Sequence, residues 1–347
     1  MAAMSLHDLP ATSVRLRHVA GRLRLSEESY TRAREIAGLA PDAREWRALI
    51  DRFLLAFGAA LIVAGVTAFF AYNWAGLHKF WKFGLIEVGI VTGVWLSAWR
   101  GLDTNPGKVV LLAAGFLVGV LFAVYGQVYQ SGADPYQLFV AWGLLILGWA
   151  LIGRQAGLWM LTLVLANLSV ILYWTQVLYP QRLGADFLGP LVGLTGTFTD
   201  PRLADLVFVL NASALLLWEM LARRKVNWMQ GRTLPRVVSL IALTPVLFSS
   251  LFLIVGFDRT GRWSGVALVL FGTFAWISLH YFRVRVHDLF ILTVCLMGGI
   301  TIVTTFVAQF SGAGVGIAFV LAALVVGQTA GAALWLRRVA QQWEEAG

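Results

Sequence analysis

Ten apolar segments, each about as long as a membrane is thick, divide this chain. A membrane-spanning helix needs roughly 20 mostly apolar residues, within a range of about 17 to 25. Because an unpaired backbone polar group is costly in lipid, such segments form helices there. The sequence therefore predicts an all-α fold, a polytopic transmembrane helical bundle of about ten spans. The predicted spans are 53–72, 83–99, 109–125, 136–152, 158–178, 206–221, 237–255, 265–281, 289–310 and 315–336.

The composition supports a membrane protein. Of the residues, 59% are hydrophobic and only 13% are charged, and one soluble core could not cover that much apolar surface. Fifteen Trp and eight Tyr fit the same class, because their amphipathic rings accumulate at the level of the lipid head groups. The net charge of +9 does not indicate nucleic-acid binding, because the Lys and Arg residues lie between apolar segments or in the N-terminal tail.

The distribution of Lys and Arg predicts the orientation. Loops on the cytoplasmic side carry the positive excess. With the N-terminus in the cytoplasm, the inner side holds 21 Lys and Arg and the outer side holds six. Without the N-terminal 52 residues the split is still 12 to six, and an even number of spans places the C-terminus in the cytoplasm as well. We therefore expect a cytoplasmic N-terminal helical segment at 1–52, a first membrane half at 53–178, an external loop at 179–205, a second membrane half at 206–336 and a cytoplasmic tail at 337–347.

The N-terminal segment is polar and predicts short helices rather than a cleavable signal peptide. Ser26 is a suitable N-cap, and Glu27 and Glu28 would lie in the first turn of the helix, where they favour its positive end. Pro41 and Asp42 are expected to restart a helix that continues into the first span. The segment is compatible with a solvated anchor and with a regulatory or docking role.

Two parts of the membrane region resemble each other. Trp81 corresponds to Trp263, the sequence Trp95-Leu96-Ser97 corresponds to Trp276-Ile277-Ser278, and Ser131-Gly132-Ala133 corresponds to Ser311-Gly312-Ala313. The offsets of 182, 181 and 180 residues are nearly constant across two loops. This pattern predicts a parallel internal repeat of spans one to four in spans seven to ten. Chance agreement in apolar sequence is the alternative.

Glu87 is the only carboxylate well inside a predicted span. Ionisable groups at such depth are costly, usually face protein or water and indicate a functional site. Gly89 and Gly93 form a small-residue motif on the opposite side of the same helix, so both faces are expected to contact protein or a cavity. The alternative is an interfacial Glu that pairs with Lys79 or Lys82.

The second polar feature is the stretch from Tyr125 to Tyr136, where an apolar helix becomes polar. Continued helical spacing would place Gln127, Gln130 and Asp134 on one face, and Pro135 would end the helix. Such a stripe is compatible with a vestibule and with a structural cap between spans. The candidate binding residues of an outward-opening polar cavity are therefore Glu87, Tyr125, Gln127, Tyr129, Gln130 and Asp134.

Several of these motifs resemble those of a known family. The chain is similar to the bacterial membrane proteins catalogued as domain of unknown function 2157, over roughly residues 20–178. The residues that carry the likeness are Tyr72-Asn73-Trp74, Lys82, Gln127-Val128-Tyr129-Gln130, Asp134-Pro135-Tyr136, Phe139 and Trp142. The resemblance implies the bacterial cytoplasmic (inner) membrane and brings no established activity, substrate or catalytic residue.

Other polar residues in the spans favour structural roles. Asn167 and Asn211 are expected to bond across helices, and Glu219 is expected to pair with Arg223 four residues later. The basic loop that contains His280, Arg283, Arg285 and His287 is interpreted as a positive-inside anchor. Gly115-xxx-Gly119 and Gly327-xxx-Gly331 offer close-packing faces to the chain's own bundle or to another membrane protein.

Three functions remain compatible with the sequence. The first is transport, or the handling of a lipid or solute through the outward-opening cavity. The second is a non-catalytic scaffold or subunit of an envelope membrane complex. The third is an intramembrane enzyme acting on lipid-linked substrates, with Glu87 or Asp134 as acid or base.

No nucleotide-binding loop, zinc helix or nucleophile elbow is present in the sequence, and the single Cys295 and five scattered His predict neither a metal site nor a cofactor. Membrane lipid is the expected partner.

Overall fold

The structure of the protein is a computed structural model that describes residues 13–37, 39, 43–73, 76, 78–130, 132, 134–178, 200–224, 226–256, 262–310 and 315–346. Several sequence-based expectations lie outside these residues. They include residues 179–199 of the predicted external loop and the repeat residues Ser131, Ala133 and Ser311–Ala313.

Within the described residues all regular structure is helical, which confirms the predicted fold class. Ten helices there are long and apolar enough to cross a membrane. The helices are α1 (Ser13–Leu23), α2 (Glu27–Ile36), α3 (Ala43–Asn73), α4 (Lys79–Arg100), α5 (Asn105–Tyr129), α6 (Pro135–Gly153), α7 (Ala156–Tyr173), α8 (Pro201–Arg223), α9 (Thr233–Val255), α10 (Arg262–Tyr281), α11 (Leu289–Phe310) and α12 (Val315–Ala346). Short π-helical turns follow α7 (Trp174–Leu178) and α10 (Phe282–Val286).

The first and last spans belong to helices that are longer than the apolar segments. Helix α3 has 31 residues and α12 has 32, because polar helix-forming sequence with no Pro or Gly continues each apolar run. The predicted helix that starts after Pro41 and Asp42 and enters the first span is therefore confirmed, although these two residues lie outside the described ranges.

The chain divides into two compact units, Val63–Val339 and the residues on either side of it. In the N-terminal part, Ser26 caps α2 as predicted, since its hydroxyl oxygen accepts a hydrogen bond from the Ser29 amide at 3.3 Å. The cap satisfies one of the backbone N–H groups that the first turn of a helix leaves free.

In the first membrane half, small residues allow close helix packing. A Cβ atom on Gly93 would lie 3.1 Å from the Ala114 side chain of α5, and one on Gly119 would lie 2.5 Å from the Trp142 ring of α6. The Trp142 indole N–H donates to the Gly115 carbonyl at 2.7 Å. The Gly-xxx-Gly faces of α4 and α5 are thus used inside this bundle.

In the second membrane half, α9 is the central helix and packs on α8, α10 and α11. Helix α8 also contacts α7 of the first half. There the Asn211 amide donates to the Asn167 side-chain oxygen at 2.7 Å, and Asn167 donates back at 3.2 Å. The predicted hydrogen bonding of these amides across helices is confirmed.

The proposed repeat is reflected locally but not in the packing of whole helices. Trp95 and Trp276 are both exposed, while Ser97 and Ser278 are both buried. However, α5 packs closely on α6, and the corresponding α11 and α12 do not pack closely in the described residues. The internal repeat stays a prediction.

Candidate functional site

The six candidate residues from the sequence all lie near the end of the bundle where α4 begins and α5 ends, and all six are exposed. Glu87 lies eight residues after the start of α4, which is about 12 Å along the helix. In the described part of the chain, no hydrogen bond or ion pair joins Glu87 to Tyr125, Gln127 or Lys79. The structure therefore brings these residues to one end of the bundle without assembling them into a bonded site.

Aromatic contacts dominate this end. The rings of Tyr125 and Tyr129 have centroids 4.8 Å apart, and Tyr129 stacks on Phe83 of α4 at 5.9 Å. The Lys79 ammonium lies 5.9 Å from the centre of the Tyr129 ring, within the range of a cation–π interaction. These contacts join the adjacent ends of α4 and α5.

The expected polar stripe of Gln127, Gln130 and Asp134 is wrong. Helix α5 ends at Tyr129, and Gln130 adopts a left-handed conformation with φ of 41°. Asp134 instead occupies the N-cap position of α6, before Pro135. Because a left-handed residue interrupts the helical spacing, these three side chains do not share one helical face.

A second polar region, which the sequence interpretation missed, lies where α8 ends and α9 begins. Its centre is Asp288, which immediately precedes α11 and is 1% exposed. One carboxylate oxygen accepts a hydrogen bond from the Phe290 amide at 3.1 Å, so Asp288 caps α11. Arg232 and Arg236 each donate Nε–H to Asp288 at 3.1 Å. One buried carboxylate thus joins the start of α11 to the start of α9.

Arg232 extends this network to α8. Its Nη1 atom lies 2.7 Å from the Glu219 carboxylate, a short charge-assisted contact. The expected pairing of Glu219 with Arg223 along α8 is therefore wrong, and the partner of Glu219 comes from the next helix. A surface pair four residues apart contributes only a few tenths of a kcal/mol, so a shorter and less exposed contact outcompetes it.

Tyr281 completes the network from α10. Its hydroxyl donates to the second Glu219 oxygen at 3.1 Å and accepts from Arg223 Nε at 3.0 Å. We call the six residues joined by these contacts the charged cluster. They are Glu219, Arg223, Arg232, Arg236, Tyr281 and Asp288.

The charged cluster is short of negative charge. It contains three arginines and two carboxylates, and each carboxylate already accepts from two side-chain donors. The Arg232 Nη2 atom is buried and has no hydrogen-bond partner in the described part of the protein. A buried donor without an acceptor is costly, so the cluster is suited to an additional anionic oxygen.

Two cavities meet at the charged cluster. The first, of about 500 Å³, is an apolar groove between α8 and α10, lined for example by Phe208, Ala212 and Phe274. The second, of about 760 Å³, is polar and includes Arg232 and Arg285 in its lining. Residues that line both are Glu219, Arg223 and Tyr281. We call the first cavity the apolar groove and the second cavity the polar pocket.

The signals for this region were present in the sequence but resembled ordinary membrane-orienting charge. Arg232 and Arg236 are among the 21 Lys and Arg of the predicted cytoplasmic side, and Asp288 follows the basic loop interpreted as an anchor. A carboxylate placed directly before a span and among basic residues was the one informative feature. Among the described residues, no three His, Cys, Asp or Glu side chains gather as metal ligands would.

Comparison with known proteins finds a likeness for the first part of the chain. Residues 20–159 match the family described as predicted membrane protein (DUF2157). These residues are similar to that family, and the remainder of the chain lies outside the match. The DUF2157 region extends from before α2 into the first turn of α7, so the charged cluster on α8 to α11 lies outside it. No curated protein and no solved structure matches the chain. The DUF2157 match and the ten membrane-spanning helices give a polytopic membrane protein of unknown activity.

Proposed function

We propose that this protein binds a membrane lipid as part of a lipid-handling or transport function. The observation that carries the proposal is the continuity of the apolar groove with the polar pocket through Glu219, Arg223 and Tyr281. A lipid has the same two parts, an apolar chain and a polar head group. A ligand of another class would not need both cavities at one place.

The dimensions of the apolar groove support an acyl chain. On α8 its lining extends from Phe208 to Arg223, which is about 22 Å at the rise of an α-helix. One leaflet contributes about 15 Å of hydrocarbon, half the thickness of a bilayer core. The groove is therefore long enough for an acyl chain that crosses one leaflet, with the charged cluster at its polar end.

The distribution of Lys and Arg assigns this end to the cytoplasmic leaflet of the bacterial inner membrane in our proposal. Reporter fusions after Leu102 and Ala156 test the orientation independently of the ligand. Cytoplasmic signals at both positions are expected. External signals at both would move the lipid site to the opposite leaflet.

The outward-opening cavity that includes Glu87 and Gln127 is the second candidate site for transport or solute handling. The exposed Glu87 supports it, because a carboxylate facing hydrocarbon is costly and favours water or a polar partner nearby. If this site carries the function, Glu87→Gln abolishes activity and leaves thermal stability nearly unchanged.

Assembly with other membrane proteins is the alternative function. Its support comes from α12, where a Cβ atom on Gly327 or Gly331 would meet no atom within 4 Å. Open small-residue positions on a spanning helix suit close approach by another helix. Crosslinking of intact membranes through cysteines introduced at these two positions would give a defined product if a partner occupies this face.

A lipid with a photoactivatable acyl chain tests the leading proposal. Labelling is expected to concentrate on α8 and α10 and to fall strongly in Ala212→Trp, because the added ring would fill the groove. Ser213→Trp is the matched control, since Ser213 is exposed and does not line the groove. Equal labelling of all lipid-facing helices, unchanged by Ala212→Trp, would contradict lipid binding in the groove.

A further inference from the structure

We infer that the polar pocket is a head-group site that selects anionic lipids over zwitterionic ones. This inference rests on the proposed lipid binding and adds the chemical class of the ligand. The ligand group is a phosphate or carboxylate whose charge is not neutralised by a cation on the same head group.

The first argument is the charge of the pocket. Its lining contains three arginines, Arg223, Arg232 and Arg285, and one carboxylate, Glu219. Arg232 Nη1 and the Tyr281 hydroxyl both donate to Glu219, at 2.7 and 3.1 Å. The carboxylate is therefore engaged, and the positive excess remains for a ligand.

The second argument concerns the free donors. Arg223 uses Nε for Tyr281, which holds the guanidinium in place and leaves its two terminal nitrogens for an anion. Arg285 is exposed and has no hydrogen-bond or ion-pair partner in the described part of the chain. The buried Arg232 Nη2 is unpaired there as well. A planar guanidinium with free terminal nitrogens is well matched to phosphate oxygens.

The third argument distinguishes a lipid from a free anion. Glu219, Arg223 and Tyr281 line the apolar groove as well as the polar pocket. An anion held there lies at the end of a groove about as long as an acyl chain. A soluble phosphate would leave that groove without a role.

General attraction between basic residues and an anionic membrane must be separated from a built site. Near the membrane surface that attraction acts on each Lys or Arg to a similar extent, whatever its position. Arg224 is the matched control, because it follows Arg223 in the chain, is exposed and does not line the polar pocket. A built site depends on Arg223 and Arg285 and is insensitive to Arg224.

Native mass spectrometry of the full-length protein tests the inference. The protein is reconstituted with equal amounts of phosphatidylglycerol and phosphatidylcholine carrying the same acyl chains, and the retained lipid is measured. We expect a preference for phosphatidylglycerol of about tenfold or more, because the choline cation of phosphatidylcholine would lie beside the arginines of the pocket and be repelled by them. The double variant Arg223→Gln/Arg285→Gln should bind both lipids about equally, and Arg224→Gln should keep the preference. Thermal melting of each variant verifies that it is folded.

The other outcomes separate the two claims. Retention of both lipids without preference, blocked by Ala212→Trp, would overturn the head-group inference and leave lipid binding intact. No retained lipid in the unmodified protein would overturn both. Inorganic phosphate that protects the protein against thermal melting equally well in Ala212→Trp would identify a soluble anion as the ligand and overturn the lipid assignment.

Discussion

Two groups of helices, α4 to α6 in the first membrane half and α8 to α11 in the second, are each held together by a different kind of contact. Helices α4, α5 and α6 approach closely through glycines, as at Gly93 and Gly119, with one indole hydrogen bond from Trp142. Helices α8 to α11 are joined by the charged cluster, centred on the buried Asp288. Packing through small residues stabilises a helix bundle without burying any charge. In a buried ionic network, the loss of any one member leaves another charge without a partner and lowers the stability of the fold. Because buried charges are a costly way to pack helices, the charged cluster of α8 to α11 is the better candidate for a binding role.

The largest effect is expected at Asp288. Asp288→Asn keeps the shape and removes the charge that pairs with Arg232 and Arg236. We expect a loss of about 3 kcal/mol, the lower end of the range for breaking a buried ion pair, because the Arg236 side chain is 44% exposed. Thermal melting in detergent with and without 1 M salt measures it. A melting temperature equal to that of the unmodified protein would show that the cluster does not hold α9 and α11 together.

In the first half, Gly119→Ala is expected to cost about 1–3 kcal/mol, as overpacking does in a close-packed interior. The new methyl group would lie 2.5 Å from the Trp142 ring. Gly126→Ala, on the same helix with nothing within 4 Å of a Cβ atom, is the control and should be neutral or slightly stabilising. Equal melting temperatures for the two variants would contradict the close approach of α5 and α6.

The contact between the two halves at Asn167 and Asn211 should contribute less. Hydrogen bonds between spanning helices average about 0.6 kcal/mol, with a maximum near 1.7. A double-mutant cycle with Asn167→Ala and Asn211→Ala measures the coupling free energy of the pair. Additive single effects would show that the reciprocal hydrogen bonds do not form in the membrane.

The smallest effect is expected for Glu87→Gln, the same carboxylate-to-amide change as at Asp288. Because Glu87 is exposed and no hydrogen bond or ion pair joins it to Tyr125, Gln127 or Lys79 in the described part of the chain, unfolding free energy should change by less than about 0.5 kcal/mol. A loss as large as that of Asp288→Asn would mean that Glu87 has a partner within the protein or its assembly, and the contrast between the two regions would disappear.

Local features were predictable from the sequence, and contacts between distant residues were not. Apolar length was sufficient for the ten spans, and Ser26 was identified as a cap from its own neighbours. Asp288 pairs with Arg232 and Arg236, which lie 56 and 52 residues earlier in the chain. No spacing rule predicts a contact between residues so far apart in sequence. Glu219 has a nearby arginine in sequence, and the pairing rule for one helix selected Arg223 when the shorter contact came from the next helix. The same residue types orient a membrane protein and form a binding site, so only the contacts they make in the folded protein distinguish the two roles.

A structure of the full-length protein in nanodiscs that contain phosphatidylglycerol tests the central claim most directly. The account predicts an ordered lipid whose acyl chain follows the apolar groove between α8 and α10. Its head-group oxygens should lie within hydrogen-bond distance of Arg223 and Arg285. An empty polar pocket, together with an ordered ligand beside Glu87 and Gln127, would contradict it.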